Sequence, residues 1–312
     1  MNAKLPVKLV ELNEAKIISI SQADSWLTCQ RKWLFSYGFK KQSKSISRSL
    51  SIGILTHDLL AVFYAAIKEG LSVADAYQET MGRLSTLFLE GSYSVAVFTI
   101  VQLLVSRYIE QDTLATGTKI LAVEEDFFLP INNDYWYGCR LDLLVEATQG
   151  HKKGQVLLID HKTTYDFYTD TALKLNPQMP KYVTAVRSSG YPVAEAYLNQ
   201  IRTRFSADVI SNKANTDLFR RSPVGITQDK VKSALTHQMV VSERIIEATR
   251  KPLDLLEQEC LPVQNNMICK NCPFQDPCIM MEEGMSAGSA LGSNYVAKTS
   301  GFKIEAKADE DA

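Results

Sequence analysis

The pattern of apolar residues changes after Gly117, and that change constrains the fold more than any other feature. Before it, apolar side chains recur at helical spacing. Leu55, Leu59, Leu60, Phe63 and Ile67 share one face of a helix over 54–69, and further helices fill 72–113. After it come short runs rich in β-branched and aromatic residues. KILAVEEDFFL (119–129), YWYGCRLDLLVE (135–146) and QVLLIDH (155–161) read as strands, with Asn132, Asn133 and Asp134 as a hairpin turn. A helix over 177–188 opens on Pro177, a strand covers 193–203, and a long helix runs over 226–258. Helices, then strands, a helix, a strand and a helix predict an α/β core with a helical insertion at about 72–113.

The flanks are less regular. Residues 19–37 open with Ser19 and space Trp26, Trp33 and Phe35 as an amphipathic helix would. Residues 40–51 are polar and basic with no acid, which predicts a loop. From Gly284 onward Gly, Ser, Ala and charge dominate, so 284–312 is expected to be a disordered tail, with 1–18 an extension and 19–283 the folded domain. A chain of 312 residues can bury a sizeable core, and 46% hydrophobic with 22% charged content is ordinary for a soluble protein. The formal charge of −1 gives no case for nucleic-acid binding, so any such surface must be a local patch. Residues 1–16 show no secretory signal, and no apolar stretch reads as a membrane span. The expected compartment is a reducing cytoplasm, where the six cysteines are metal ligands more often than disulfides.

Chemistry concentrates at the end of the third strand. VLLIDHK (156–162) is an apolar run ending in Asp160, His161 and Lys162, and period-two alternation puts Asp160 and Lys162 on one sheet face. A carboxylate there can bind a divalent metal, and an ammonium beside it can stabilise charge on a phosphoryl group. Alone, Asp-x-Lys is common, and a surface salt bridge at the strand end would be the better reading. Asp142 changes the balance, because it lies among Leu141, Leu143 and Leu144 on the preceding strand and needs a partner or a metal. Two carboxylates suit Mg²⁺ or Mn²⁺, and His57 in GILTHDLL adds an imidazole better suited to Mn²⁺.

Asp142, then Asp160-His161-Lys162, then Gln178 and Tyr182 on the next helix resemble the RecB-like branch of the PD-(D/E)XK nucleases. That branch carries a Gly-x-x-x-His motif upstream, to which Gly53 with His57 is close. The resemblance implies a restriction-endonuclease-like core, a mixed central sheet flanked by helices. It implies His57, Asp142 and Asp160 as metal ligands, with His161 counted beside them. Lys162 would be the catalytic base or electrostatic helper, and Gln178 with Tyr182 a Gln-x-x-x-Tyr motif near the metal and the DNA backbone. Two departures stand: Asp160 occupies a position often held by Glu, and Gly138 lies four residues before Asp142 rather than three.

CKNCPFQDPC (269–278) brings Cys269, Cys272 and Cys278 together, with Pro273 and Pro277 restricting the loop. Three thiolates so spaced can wrap one metal centre. Cys29 is the best candidate for a fourth ligand, Cys260 the next, and Cys139 reads as a core residue. Spacing leaves zinc and iron–sulfur even. The RecB-like nucleases with iron–sulfur clusters, AddB-type and CRISPR-associated exonucleases among them, share this layout, and the resemblance implies a 4Fe-4S cluster in a C-terminal loop.

Arg31, Lys32, Lys40, Lys41, Lys44 and Arg48 fall in 31–48 without an acid, a candidate phosphate-binding strip whose alternative is a solvated loop. Of Trp33, Phe35 and Tyr37, at least two are expected in the core. No Gly-x-x-x-x-Gly-Lys-Ser/Thr loop is present, so no ATP-driven motor is built in. The expected activity is an exonuclease or end-processing nuclease acting on DNA ends or single strands, alone or with a separate helicase, recombination or CRISPR-adaptation protein. The alternative is a catalytically weak DNA-end-binding or adaptor protein on the same fold, stapled by zinc or iron–sulfur.

Overall fold

The structure is a computed structural model and describes residues 16–204, 218–298 and 302. Most of the extension expected over 1–18 therefore lies outside the described residues. Along the chain come β1 (Ile17–Ser19), α1 (Ile20–Thr28), α2 (Gln30–Trp33), β2 (Lys41–Ser43), α3 (Arg48–Lys68), α4 (Val73–Leu89), α5 (Val95–Gln111) and α6 (Leu114–Gly117). There follow β3 (Thr118–Pro130), β4 (Trp136–Ala147), β5 (Val156–Thr164), α7 (Asp170–Lys174), α8 (Gln178–Ser188), β6 (Val193–Arg202) and β7 (Phe219–Val224). The last are α9 (Gln228–Thr249), α10 (Leu253–Glu259), α11 (Asn266–Cys269), α12 (Gln275–Glu282), α13 (Ala287–Leu291) and β8 (Tyr295–Ala297). Residues 1–46, 128–139 and 233–312 make up one unit; 47–127 and 140–232 make up the other.

In the first unit β1 runs parallel to the opening residues of β4, Ile17 opposite Trp136 and Ser19 opposite Gly138. A Cβ on Gly138 would lie 2.7 Å from Ile17 and 2.8 Å from Phe302, so glycine permits this approach. Ser19 caps α1 by accepting from the Gln22 N–H. The helix expected over 19–37 breaks at Cys29, whose extended backbone separates α1 from α2, and Leu34–Gly38 forms a π-helical turn. Ile18, Trp33, Leu34, Val241, Ile245 and Leu256 build the core here. Two expectations are corrected. The loop expected over 40–51 contains β2 and the start of α3, capped by Ser47. The tail expected to be disordered folds over 287–297: α13 buries Ala287 and Leu291 against Phe35 and Phe274, and β8 pairs antiparallel with β2. Small residues there read as low complexity, yet they are what close packing onto Phe274 requires.

In the second unit β4, β5, β6 and β7 form a sheet in that order, and β3 also pairs with β4. Pairing is antiparallel, parallel and antiparallel in turn, so the sheet is mixed. Helices α3, α4 and α5 pack together over one face. Leu55, Leu59, Phe63, Val101 and Leu104 meet Leu143, Val145, Leu157 and Ile159 there. Helix α3, of 21 residues, contains a window of mean hydropathy 1.7 and is by length and composition apolar enough to cross a bilayer, contrary to the expectation of no such stretch; half of that window is buried. Its apolar length is used in this core instead.

Candidate active site

Alternation along β5 sorts its side chains. Leu157 and Ile159 enter the core under α3–α5, so Asp160 and Lys162 share the opposite pattern, Lys162 with α8. Register brings β4 alongside, Leu143 opposite Ile159, which places Asp142 next to Asp160. Asp142 Oδ2 accepts the His161 backbone N–H at 2.6 Å, and Lys162 Nζ stands 3.6 Å from Asp160 Oδ2. Lys162 also donates to Gln178 Oε1 at 3.1 Å, and Gln178 in turn donates to the Tyr182 hydroxyl. Asn176 caps this helix, its Oδ1 accepting from the N–H groups of Gln178 and Met179.

Gly53 explains how His57 arrives. A Cβ there would lie 3.0 Å from Thr163 Oγ1, so the glycine lets α3 approach β5 closely. One turn later His57 Nδ1 reaches 3.5 Å from Asp142 Oδ1. Sequence reasoning missed the next member. One ligand atom each from His57, Glu124 and Asp142 lies within 4.8 Å of the others. Glu124 sits in β3 with φ 45°, a left-handed conformation that a glutamate rarely adopts. Its only signal in the sequence is a run of three acids, Glu124-Glu125-Asp126, midway along an otherwise apolar strand.

The electrostatics are those of a site short of positive charge. Burial, then the neighbouring Asp142 carboxylate, push Asp160 up to about 7. Asp160 Oδ2 is buried without a hydrogen-bond partner. Burial alone would raise Asp142, but His57 and the N–H of His161 hold it below the ordinary value. Burial alone would lower His57, but Asp142, Asp160 and Glu124 raise it.

His161 is a correction. Expected among the metal residues, its imidazole lies on the helix side, stacked on Tyr64, with Nδ1 2.8 Å from Asn199 Nδ2. Burial pushes it down to about 4, so it is neutral. Asn199 donates to Tyr108, Tyr64 to Asp112, and Arg221 pairs with Asp112 at 3.0 Å, a buried polar network behind the carboxylates.

In the first unit Cys29, Cys269, Cys272 and Cys278 are half-buried free thiols, whereas Cys139 and Cys260 are buried. Burial raises both Cys272 and Cys278, and each feels Cys29; Cys272 also feels Cys269. Among the described residues no three of these sulfurs fall within 4.8 Å of one another. The basic strip is also revised. Arg31 is 5% exposed, donates to the Cys260 carbonyl and pairs with Glu282, so it is not a phosphate contact. Lys32, Lys40, Lys41, Lys44 and Arg48 remain at least partly exposed. Trp33 and Phe35 are core residues; Tyr37 carries Lys298 over its ring at 3.4 Å.

The sequence pattern of the PD-(D/E)XK nuclease superfamily matches residues 17–279. This chain belongs to the PD-(D/E)XK nuclease superfamily. Membership accounts for the mixed sheet, and divalent-metal-dependent hydrolysis of phosphodiester bonds is the superfamily's chemistry. A search among curated proteins finds no match. Among solved structures, one designated SSO0001 is 14% identical with a TM-score of 0.37, over 85% of this chain and 87% of that one. Another, from Eubacterium rectale and provisionally described as an exonuclease, is 11% identical with a TM-score of 0.48, over 87% and 93%. At those scores neither adds to the family match.

Proposed function

We propose that the chain is a metal-dependent DNA nuclease of the RecB-like branch, acting on DNA ends or single strands, with an iron–sulfur cluster in its first unit. The observation that carries the reading is the convergence of Asp142, Asp160, Lys162 and His57 on one place. The fit to a cation rests on Asp160 Oδ2, buried without a hydrogen-bond partner beside a second carboxylate. Asp142, Asp160 and His57 would hold the ion, Mg²⁺ or Mn²⁺, with Glu124 within reach. Bound there, the ion would polarise a phosphodiester oxygen and ease deprotonation of water. Lys162, aimed by Gln178, places a positive charge where negative charge develops on the phosphoryl group. Tyr182 holds Gln178 in turn, so the Gln-x-x-x-Tyr pair positions the lysine. His161 keeps Asp142 oriented through its backbone N–H.

Four thiols suit zinc or an iron–sulfur cluster alike by donor type, and the resemblance to the RecB-like nucleases with iron–sulfur clusters favours the cluster. Cys29, Cys269, Cys272 and Cys278 would bind it and tie the start of the unit to its end. Lys32, Lys40, Lys41 and Lys44, joined by Lys298, would hold DNA phosphates, and a motor, if one is used, would be a separate protein.

The test is cleavage of end-labelled single-stranded and duplex oligonucleotides with Mg²⁺ or Mn²⁺. Wild type should cut and Asp142→Asn should not. No cleavage of either substrate by the metal-loaded protein would refute the reading.

A further inference from the structure

The strand that carries Asp160 and Lys162 runs on into a loop, Tyr165–Tyr168, that presents three aromatic rings to an array of arginines. Tyr165 is 66% exposed and Tyr168 is 36% exposed. The Arg204 guanidinium lies 5.3 Å from the Tyr165 ring centre, and those of Arg202 and Arg220 lie 5.5 and 4.4 Å from that of Phe167. The loop is pinned to the end of β6. Tyr168 N–H donates to Gln200 Oε1 at 2.6 Å, and Thr203 N–H to the Thr164 carbonyl at 2.8 Å. Charge is unbalanced. Asp166 serves Arg202 at 2.9 Å and Arg204 at 3.2 Å, and Arg220 has no carboxylate partner among the described residues. Arg202 Nε is buried without a hydrogen-bond partner.

We propose that Tyr165, Phe167 and Tyr168 with Arg202, Arg204 and Arg220 form a binding platform for single-stranded nucleic acid that feeds the active site. This rests on the nuclease reading above for its purpose, though not for its existence. Tyr165 follows Lys162 by three residues, about 10 Å along an extended chain, so a strand held here has its phosphates within reach of the carboxylates. Exposed rings and guanidinium planes stack on the faces of unpaired bases, and the surplus arginine charge takes the phosphates. A duplex hides those faces, so the platform selects single strands. Rings needed only to fill space would be covered, and Tyr165 is not.

The experiment is fluorescence anisotropy with a labelled oligothymidylate and a duplex of the same length, in EDTA so that binding is read without hydrolysis. Wild type should prefer the single strand. Tyr165→Ala and Tyr168→Ala should each weaken oligothymidylate binding roughly tenfold with little change for the duplex, and Tyr→Phe at either position should bind like wild type. Arg204→Ala and Arg220→Ala should each lower the salt-dependence slope by about 0.7. Arg204 is exposed, so its removal leaves the fold intact and the slope remains readable if a tyrosine variant unfolds. Unchanged affinity and slope in these variants, or equal losses for single strand and duplex, overturns the platform. Normal cleavage alongside unchanged binding overturns the platform alone. The expected binding pattern with no cleavage under Mn²⁺ supports the platform and overturns the nuclease reading.

Discussion

Replacing Asp160 with Asn should stabilise the metal-free protein while abolishing cleavage. The carboxyl is 3% exposed and beside Asp142, and together these lift it from 3.8 to about 7. The native state therefore keeps a proton that the unfolded chain has released, so native stability falls as pH rises from about 4 to about 7 and stays low above that. At about 1.36 kcal/mol per pH unit, an ionised Asp160 destabilises the metal-free native state by up to about 4 kcal/mol. Asn removes that charge. The attraction to Lys162 opposes the rise and is already contained in that value. The gain is therefore up to about 4 kcal/mol at about pH 8, read by urea unfolding in EDTA. The gain should shrink steadily as pH is lowered from about 7 toward 4. Saturating Mn²⁺ should cancel that advantage, because only wild type gains binding linkage, about 4.1 kcal/mol at a thousandfold excess over Kd. An Asp160→Asn protein less stable than wild type in EDTA at about pH 8 would make Asp160 a structural partner of Lys162 and refute the metal site.

Lys162→Ala should keep metal affinity, measured by calorimetry, and lose a hundredfold or more in rate, on the order of 3 kcal/mol; vanished affinity would contradict a role separate from the ion. Gln178→Ala should lose less, about tenfold, because it removes only the lysine's support. Glu124→Gln should weaken Mn²⁺ binding measurably with the fold unchanged by circular dichroism; unaltered binding would place Glu124 outside the ligand set. Cys29→Ser, Cys269→Ser, Cys272→Ser and Cys278→Ser should each abolish visible absorbance and acid-labile sulfide, while Cys139→Ser and Cys260→Ser should not; stoichiometric zinc without sulfide in wild type would overturn the cluster.

What could be read in advance was whatever depends on a local period. Asp160 and Lys162 two apart on a strand, and Gln178 and Tyr182 four apart on a helix, needed only alternation and helical pitch to share a face. Helix and strand placement after Gly117 came from the same source. Arg31 was misread because its charge is visible in the sequence and its partners, Cys260 and Glu282, are more than two hundred residues away. Glu124 was hidden for a related reason. Its side chain joins His57 and Asp142 through a backbone kink and a pairing of β3 with β4, neither of which has a local signature.

His161 shows the same rule left unused. If Asp160 and Lys162 share a face, period two sends the residue between them to the other, and the imidazole is found there against Tyr64. In the structure its backbone and side chain have different tasks. The N–H faces Asp142 at 2.6 Å, while the ring enters a pocket of Tyr64, Tyr108 and Asn199 where burial keeps it neutral. A protonated ring there would set a positive charge among hydroxyls that already surround Asp112 and Arg221. Because the N–H that orients Asp142 belongs to a residue anchored in that network, the network holds one carboxylate of the cluster in position from the helix side. The site's precision therefore depends on residues as far along the chain as Arg221, which no motif around Asp160 contains.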